Sequence, residues 1–144
     1  MKREDLNFIL QNASLDSILE IVDSIKKDFK VEILLAPTQQ MLLLPVKDPI
    51  SDGSFYGGEV LVTTSLICLH KDSIKAQGWA MVLDDNAQYA LNLAIIDSYI
   101  GMDLKDNLSK EIFNLAKATK ESINLAQQEE NKKIDSTKVQ FELM

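Results

Sequence analysis

A chain of 144 residues that is 46% hydrophobic and 26% charged is long enough to bury one core, and neither a disordered segment nor a disulfide scaffold has that balance. Fifteen Lys and Arg against 22 Asp and Glu leave a net charge of -7, which repels a phosphate backbone and argues against a nucleic-acid partner. A single Cys excludes an internal disulfide, and the opening Met1 to Asp5 leads into an amphipathic segment with no apolar signal core, so a cytoplasmic protein is expected.

Leu6, Ile9, Leu10 and Ala13 recur at helical spacing, and after Ser14, a good N-cap, a second stripe runs through Leu15, Ile18, Leu19, Val22, Ile25 and Phe29. Two helices are therefore predicted to open the chain. Val31 to Leu35 and Met41 to Leu44 are short apolar runs divided by Pro37 and Thr38, predicting two strands paired with each other. From Lys47 to Gly58 the periodicity lapses among Pro49, Asp52, Gly53, Gly57 and Gly58, predicting a loop of about ten residues.

Glu59 to His70 and Ser73 to Leu83 alternate around Lys71 and Asp72, predicting a long hairpin with His70 opposite Ser73. In that register Leu61, Thr63, Ser65, Ile67 and Leu69 share a core face with Ile74, Ala76, Gly78, Ala80 and Val82, while Thr64, Cys68, His70, Lys75 and Gln77 face outward. Asp84, Asp85 and Asn86 cap a helix reaching about Ile100, with Gly101 expected to end it in a left-handed conformation. Its apolar run, Ala90 to Ile100, is broken by Asn92 and Asp97 and falls short of the ~20 residues of a membrane span.

A last helix is predicted over roughly Leu108 to Lys133, on a stripe of Leu108, Ile112, Leu115, Thr119, Ile123 and Ala126 that fades into the polar run 127–133. Residues 137–144 alternate like a half-buried strand. The predicted fold is α+β: two N-terminal helices, an antiparallel sheet with a long hairpin, two C-terminal helices and an extended C-terminal tail, in one domain over 1–144.

His70 is the sole His, and Cys68, two residues away on the same strand face, gives it one potential co-ligand, too few for zinc without carboxylates or a partner. The ordinary reading is a hairpin-tip His beside a small, semi-buried Cys. Neither GxGxxG nor GxxxxGK[ST] occurs, so no phosphate cradle can be assigned. Asp84 and Asp85 could hold a cation, but two acids before a helix serve its cap and dipole more often. Asp97, set among Ile95, Ile96 and Tyr99, either lies on a watered stripe or is partly desolvated and needs a donor.

Two features point to a protein partner. Leu91, Ile95 and Ile96 belong to a helix apolar over most of its circumference, more than one sheet face covers. Val139, Phe141 and Leu143 form the apolar side of the terminal strand, which either pairs within its own domain or adds to a partner's sheet.

The segment Phe55 to Thr63 resembles the PhnG family, small subunits of the bacterial carbon-phosphorus lyase core complex. Gly78 to Val82 followed by Ala90 to Asp97 is similar to a second family block, and Thr137 to Met144 to a third, so the resemblance spans nearly the whole chain. Gly58, Glu59, Thr63, Gly78 and Asp97 are motif residues to which it gives no role. The resemblance implies PhnI-like, PhnH-like and PhnJ-like partners. Together these transfer a phosphonate such as methylphosphonate to the ribose C1 of ATP, release adenine and yield ribose 1-phosphonate 5-triphosphate. It implies a non-catalytic subunit of this transferase, not expected to act alone. The chain itself would hold no cofactor or metal, with ATP as the complex's substrate and an iron-sulfur cluster on the PhnJ-like partner. An alternative of another class is an acidic chaperone-like module that binds an extended client segment.

Overall fold

The first two predicted helices form where the apolar spacing places them: α1 spans Arg3–Leu10 and α2 Leu15–Asp28, with the Ser14 side chain accepting from Ser17 N as the α2 cap. The structure, a computed structural model, describes residues 1–47, 50 and 53–142. Their buried apolar faces, Leu6 and Leu10 on α1 and Ile18, Ile21, Val22 and Ile25 on α2, enter one hydrophobic core with the inner face of the sheet.

The two short strands predicted before Lys47 are one: β1 runs unbroken over Lys30–Lys47 and pairs throughout with β2, Ser54–Lys71, instead of folding back on itself. Pro37 falls in the register shift between Leu35 and Thr38, and Pro45 beside another after Leu44, on an edge strand with bulges, where strands tolerate proline. The predicted loop over 47–58 shrinks accordingly, since Lys47 already pairs with Ser54 and Leu44 with Gly58. Pro49 and Asp52 lie outside the described residues.

The third strand, β3 at Ile74–Leu83, completes an antiparallel sheet in the order β1-β2-β3. The β2–β3 turn is Asp72-Ser73, with Asp72 at φ 53, so His70 pairs with Lys75 and not with Ser73. This correction moves the pairing by two positions, which preserves side-chain parity, and the predicted core face survives. Thr63, Ser65, Ile67, Leu69, Ala80 and Val82 are all buried on it. On the opposite face Thr64 and Cys68 are also buried: Cys68 sits between the longer Glu32 and Gln77, and Thr64 between Thr38 and Met81.

Helix α3, Ala87–Gly101, lies over β2 and β3 and also touches α1, α2, β1 and α4. An all-round apolar helix is thus surrounded by its own chain, and Ile95 (0% exposed) and Ile96 (1%) are core residues, not partner surface. Gly101 does not end α3 in a left-handed conformation: no described glycine has positive φ, and that role passes to Asp103 at φ 53. Gly101 instead makes room for a guanidinium, since a Cβ there would lie 2.7 Å from Arg3 Nη1.

The final helix, α4, extends over Asn107–Glu142 and absorbs residues 137–142 of the predicted extended tail, while Leu143 lies outside the described residues. No Gly or Pro follows Gly101, and the run 127–133 is rich in Gln, Glu and Lys, so nothing in the sequence stops the helix. Alternation alone makes no strand without a neighbour to pair with. Asp106 caps α4, accepting from Ser109 N at 2.9 Å and Ser109 Oγ at 3.0 Å, and the Tyr99 hydroxyl donates to its other oxygen. Burial pushes the Tyr99 phenol up, and the bond to Asp106 raises it further. Burial also pushes the Asp106 carboxyl up, but the hydrogen bonds from Tyr99 and Ser109 outweigh it and hold the group below its ordinary range. No described helix is long and apolar enough to cross a membrane.

Candidate functional site

The two sheet edges are treated differently. Along β3, whose outward-facing backbone groups recur every second residue, polar side chains from α1 and its C-cap residue Gln11 meet most of these groups. Arg3 Nη2 donates to Gln77 O at 3.1 Å, Asn7 both donates to Met81 O at 2.7 Å and accepts from Met81 N at 3.2 Å, and Gln11 Oε1 accepts from Leu83 N at 3.1 Å. Asp97 fills the remaining gap by accepting from Trp79 N at 3.0 Å. The β3 edge is therefore closed to strand addition.

Asp97 is also held by Arg3, whose Nε and Nη2 donate to its two oxygens at 2.9 and 3.0 Å. It is the partly desolvated acid with donors, not a carboxylate on a watered stripe. Arg3, 94 residues away in sequence, could not be named as that donor from local pattern.

Thr63 and Gly78 act through backbone geometry. Buried Thr63 Oγ1 donates to Asp84 O at 2.6 Å and accepts from Asn86 N at 3.0 Å, fixing the turn, with Asp84 at φ 66, from which Asn86 caps α3. Gly78 lets α3 approach the sheet: a Cβ there would stand 2.0 Å from Ala94 O and 2.5 Å from Ser98 N. By contrast, Gly58 has open space around the Cβ position, and Glu59 is exposed on the distal ribbon opposite Leu43.

On the sheet face away from the helices, the register sets Glu32 directly opposite Cys68, with His70 one pair further along. His70 Nε2 and Glu32 Oε2 are 2.7 Å apart, and one ligand-type atom from each of Glu32, Cys68 and His70 lies within 4.8 Å of the other two. Among the described residues this is the one grouping of three such side chains, and Asp84 and Asp85 make none. The sequence pattern exposed Cys68 and His70 but missed Glu32, because a cross-strand neighbour is visible only once the register is known.

The other edge, β1, carries large apolar side chains outward: Ile33, Leu34, Leu35, Met41, Leu43 and Leu44 are each between 38% and 54% exposed. Of the residues expected to meet a partner, Leu91 is half-buried against the core, and Val139 and Phe141 lie in α4. Residues two apart share a face on a strand but not on a helix, so the strand-addition argument does not carry over to them.

The whole chain, residues 1–144, matches the family described as Phosphonate metabolism protein PhnG. The chain belongs to the PhnG family. Phosphonate metabolism is therefore the process this protein serves. No curated protein matches it. The three blocks that resemble the PhnG family fall in separate places: the first in β2, the second across β3 and α3, and residues 137–142 of the third at the end of α4. In this PhnG-family chain the second block builds the fold, since Gly78 and Asp97 lock α3 and α1 onto β3.

Proposed function

We propose that this protein is a non-catalytic subunit of the carbon-phosphorus lyase core complex, supporting transfer of a phosphonate to the ribose C1 of ATP with release of adenine. The observation that carries the reading is the whole-chain family match. The reaction gathers a triphosphate, a phosphonate and a developing charge at ribose, all of which need positioned cationic donors or metal. A chain of net charge -7 without a phosphate-loop motif supplies little of this, so catalysis and the ATP site are assigned to PhnI-like and PhnJ-like partners, with a PhnH-like chain beside them.

The contribution of this subunit is a docking surface, and β1 supports that role better than α3. An edge strand of 18 residues with a row of exposed Leu, Ile and Met side chains presents both unpaired backbone groups and apolar area. Co-expression with a PhnI-like chain tests the reading. The pair should co-purify, and the double substitution Met41→Lys, Leu43→Lys should abolish co-purification while shifting the isolated protein's Tm by less than about 2 °C, as expected for exposed positions. Capture of unfolded peptides together with indifference to the PhnI-like chain would replace this reading with the chaperone-like one.

A further inference from the structure

We propose that Glu32, Cys68 and His70 form a zinc site on the outer face of the sheet, a site independent of the role in the complex described above. Two strands build it. Cys68 and His70 alternate onto one face of β2, and the β1–β2 register brings Glu32 across to the same face, so thiol, imidazole and carboxylate converge with all three ligand atoms within 4.8 Å of one another. Around a tetrahedral zinc, donors at ~2.0–2.3 Å from the ion lie about 3.3–3.8 Å apart, so separations of at most 4.8 Å close by no more than about 1.5 Å, while the 2.7 Å His70–Glu32 pair opens by about 0.6 Å or more. Glu32 is exposed, so its side chain can rotate to take part in that adjustment.

Ligand chemistry selects the metal. Sulfur and imidazole nitrogen disfavour calcium and magnesium, and one S, one N and one O around a single position suit zinc. Binding converts the Cys68 thiol to thiolate, releasing its proton, and thiolate and carboxylate together balance the dication. Three protein ligands leave a fourth position, and the three residues line a cleft of about 400 Å³ together with Leu34, Lys75, Ala76 and Gln77. Cys68 is 6% exposed and borders that cleft. Lys75, paired with His70 on β3, and Lys30, paired with it on β1, place positive charge nearby, which weakens affinity for the cation and favours an anionic fourth ligand.

The competing description is a plain His70–Glu32 ion pair beside an inert Cys. The two separate when the reduced full-length protein is titrated with Zn²⁺ alone by calorimetry and with Co²⁺ alone by absorption. The site predicts one ion per chain, a near-ultraviolet thiolate-to-cobalt charge-transfer band, and loss of that band in Cys68→Ala. Even outer-shell changes weaken metal sites ~10–100-fold, so Cys68→Ala, His70→Ala and Glu32→Gln should each weaken zinc binding by more than about tenfold. Circular dichroism confirms that each variant is folded, and Cys68→Ser serves as a second thiol-free variant should Cys68→Ala lose structure. No zinc uptake by the wild type, or uptake that the thiol-free variant retains in full, would overturn the proposal.

Discussion

Substituting Gly78 by Ala tests how closely α3 is seated on the sheet. The added Cβ would sit 2.0 Å from Ala94 O, 2.5 Å from Ser98 N and 2.6 Å from Ser98 Cβ, and the first two are backbone atoms that no rotamer change can move. Restoring ordinary contact at 3.4 Å requires α3 and β3 to part by about 1.4 Å. A gap of ~0.5–1 Å already forfeits a quarter to a half of each dispersion contact, and α3 contributes Leu93, Ala94, Ile95 and Ile96 to the core that would loosen. Overpacking costs typically ~1–3 kcal/mol, and a clash with rigid backbone belongs at the upper end. A loss of about 3 kcal/mol lowers Tm by roughly 10 °C in a chain of this size. Thermal unfolding followed by circular dichroism measures it, with Gly58→Ala as the control, since nothing lies within 4 Å of a Cβ there. The control should melt within about 2 °C of the wild type, as open surface positions do. If Gly78→Ala also melts within about 2 °C, a difference well under 1 kcal/mol, the tight seating of α3 is refuted.

Asn7→Ala should cost about 1–2 kcal/mol in urea unfolding, because Met81 N and O lose their partner together, and it should increase self-association through the reopened β3 edge; unchanged stability and solubility would contradict edge closure by α1. Thr63→Val, equal in shape but without the hydroxyl, should lose about 1–3 kcal/mol, and Thr63→Ser should recover most of it, as read by the same unfolding curves. The depressed Asp106 carboxyl stabilises the fold above its ordinary value of 3.8 and ceases to do so as pH falls through its lower folded value. The stability gap between wild type and Asp106→Asn should therefore be full near neutral pH and narrow in strong acid, and a gap independent of pH would count against the cap carrying charge.

Much of the architecture was legible from local pattern. The α1 and α2 stripes, the Ser14 and Asn86 caps and the inner face of the β2–β3 hairpin are written in spacings of 3.6 and 2, which backbone geometry imposes on neighbours along the chain. The hairpin register differs from the predicted one by two, yet the core face is the same, because parity alone decides which side a residue faces. The misreadings share a cause. Pro37 looked like a break and proved to be a bulge on an edge strand, and the alternation over 137–144 looked like a strand although residues up to 142 continue α4. In both cases the outcome depended on whether another strand lay alongside.

The amino-acid sequence by itself determined the α+β class and the acidic charge that argues against nucleic acid, through periodicity and composition, and the PhnG-family membership, through a match over the whole chain. Only the tertiary structure decided that Ile95 and Ile96 are core, that β1 and not α3 carries the exposed apolar surface, and that Glu32 joins Cys68 and His70. The reason is physical: burial and cross-strand proximity are properties of residues distant in sequence, as Arg3 with Asp97 and Glu32 with His70 illustrate, and side-chain pattern along the chain carries no record of which distant segment will pack against it.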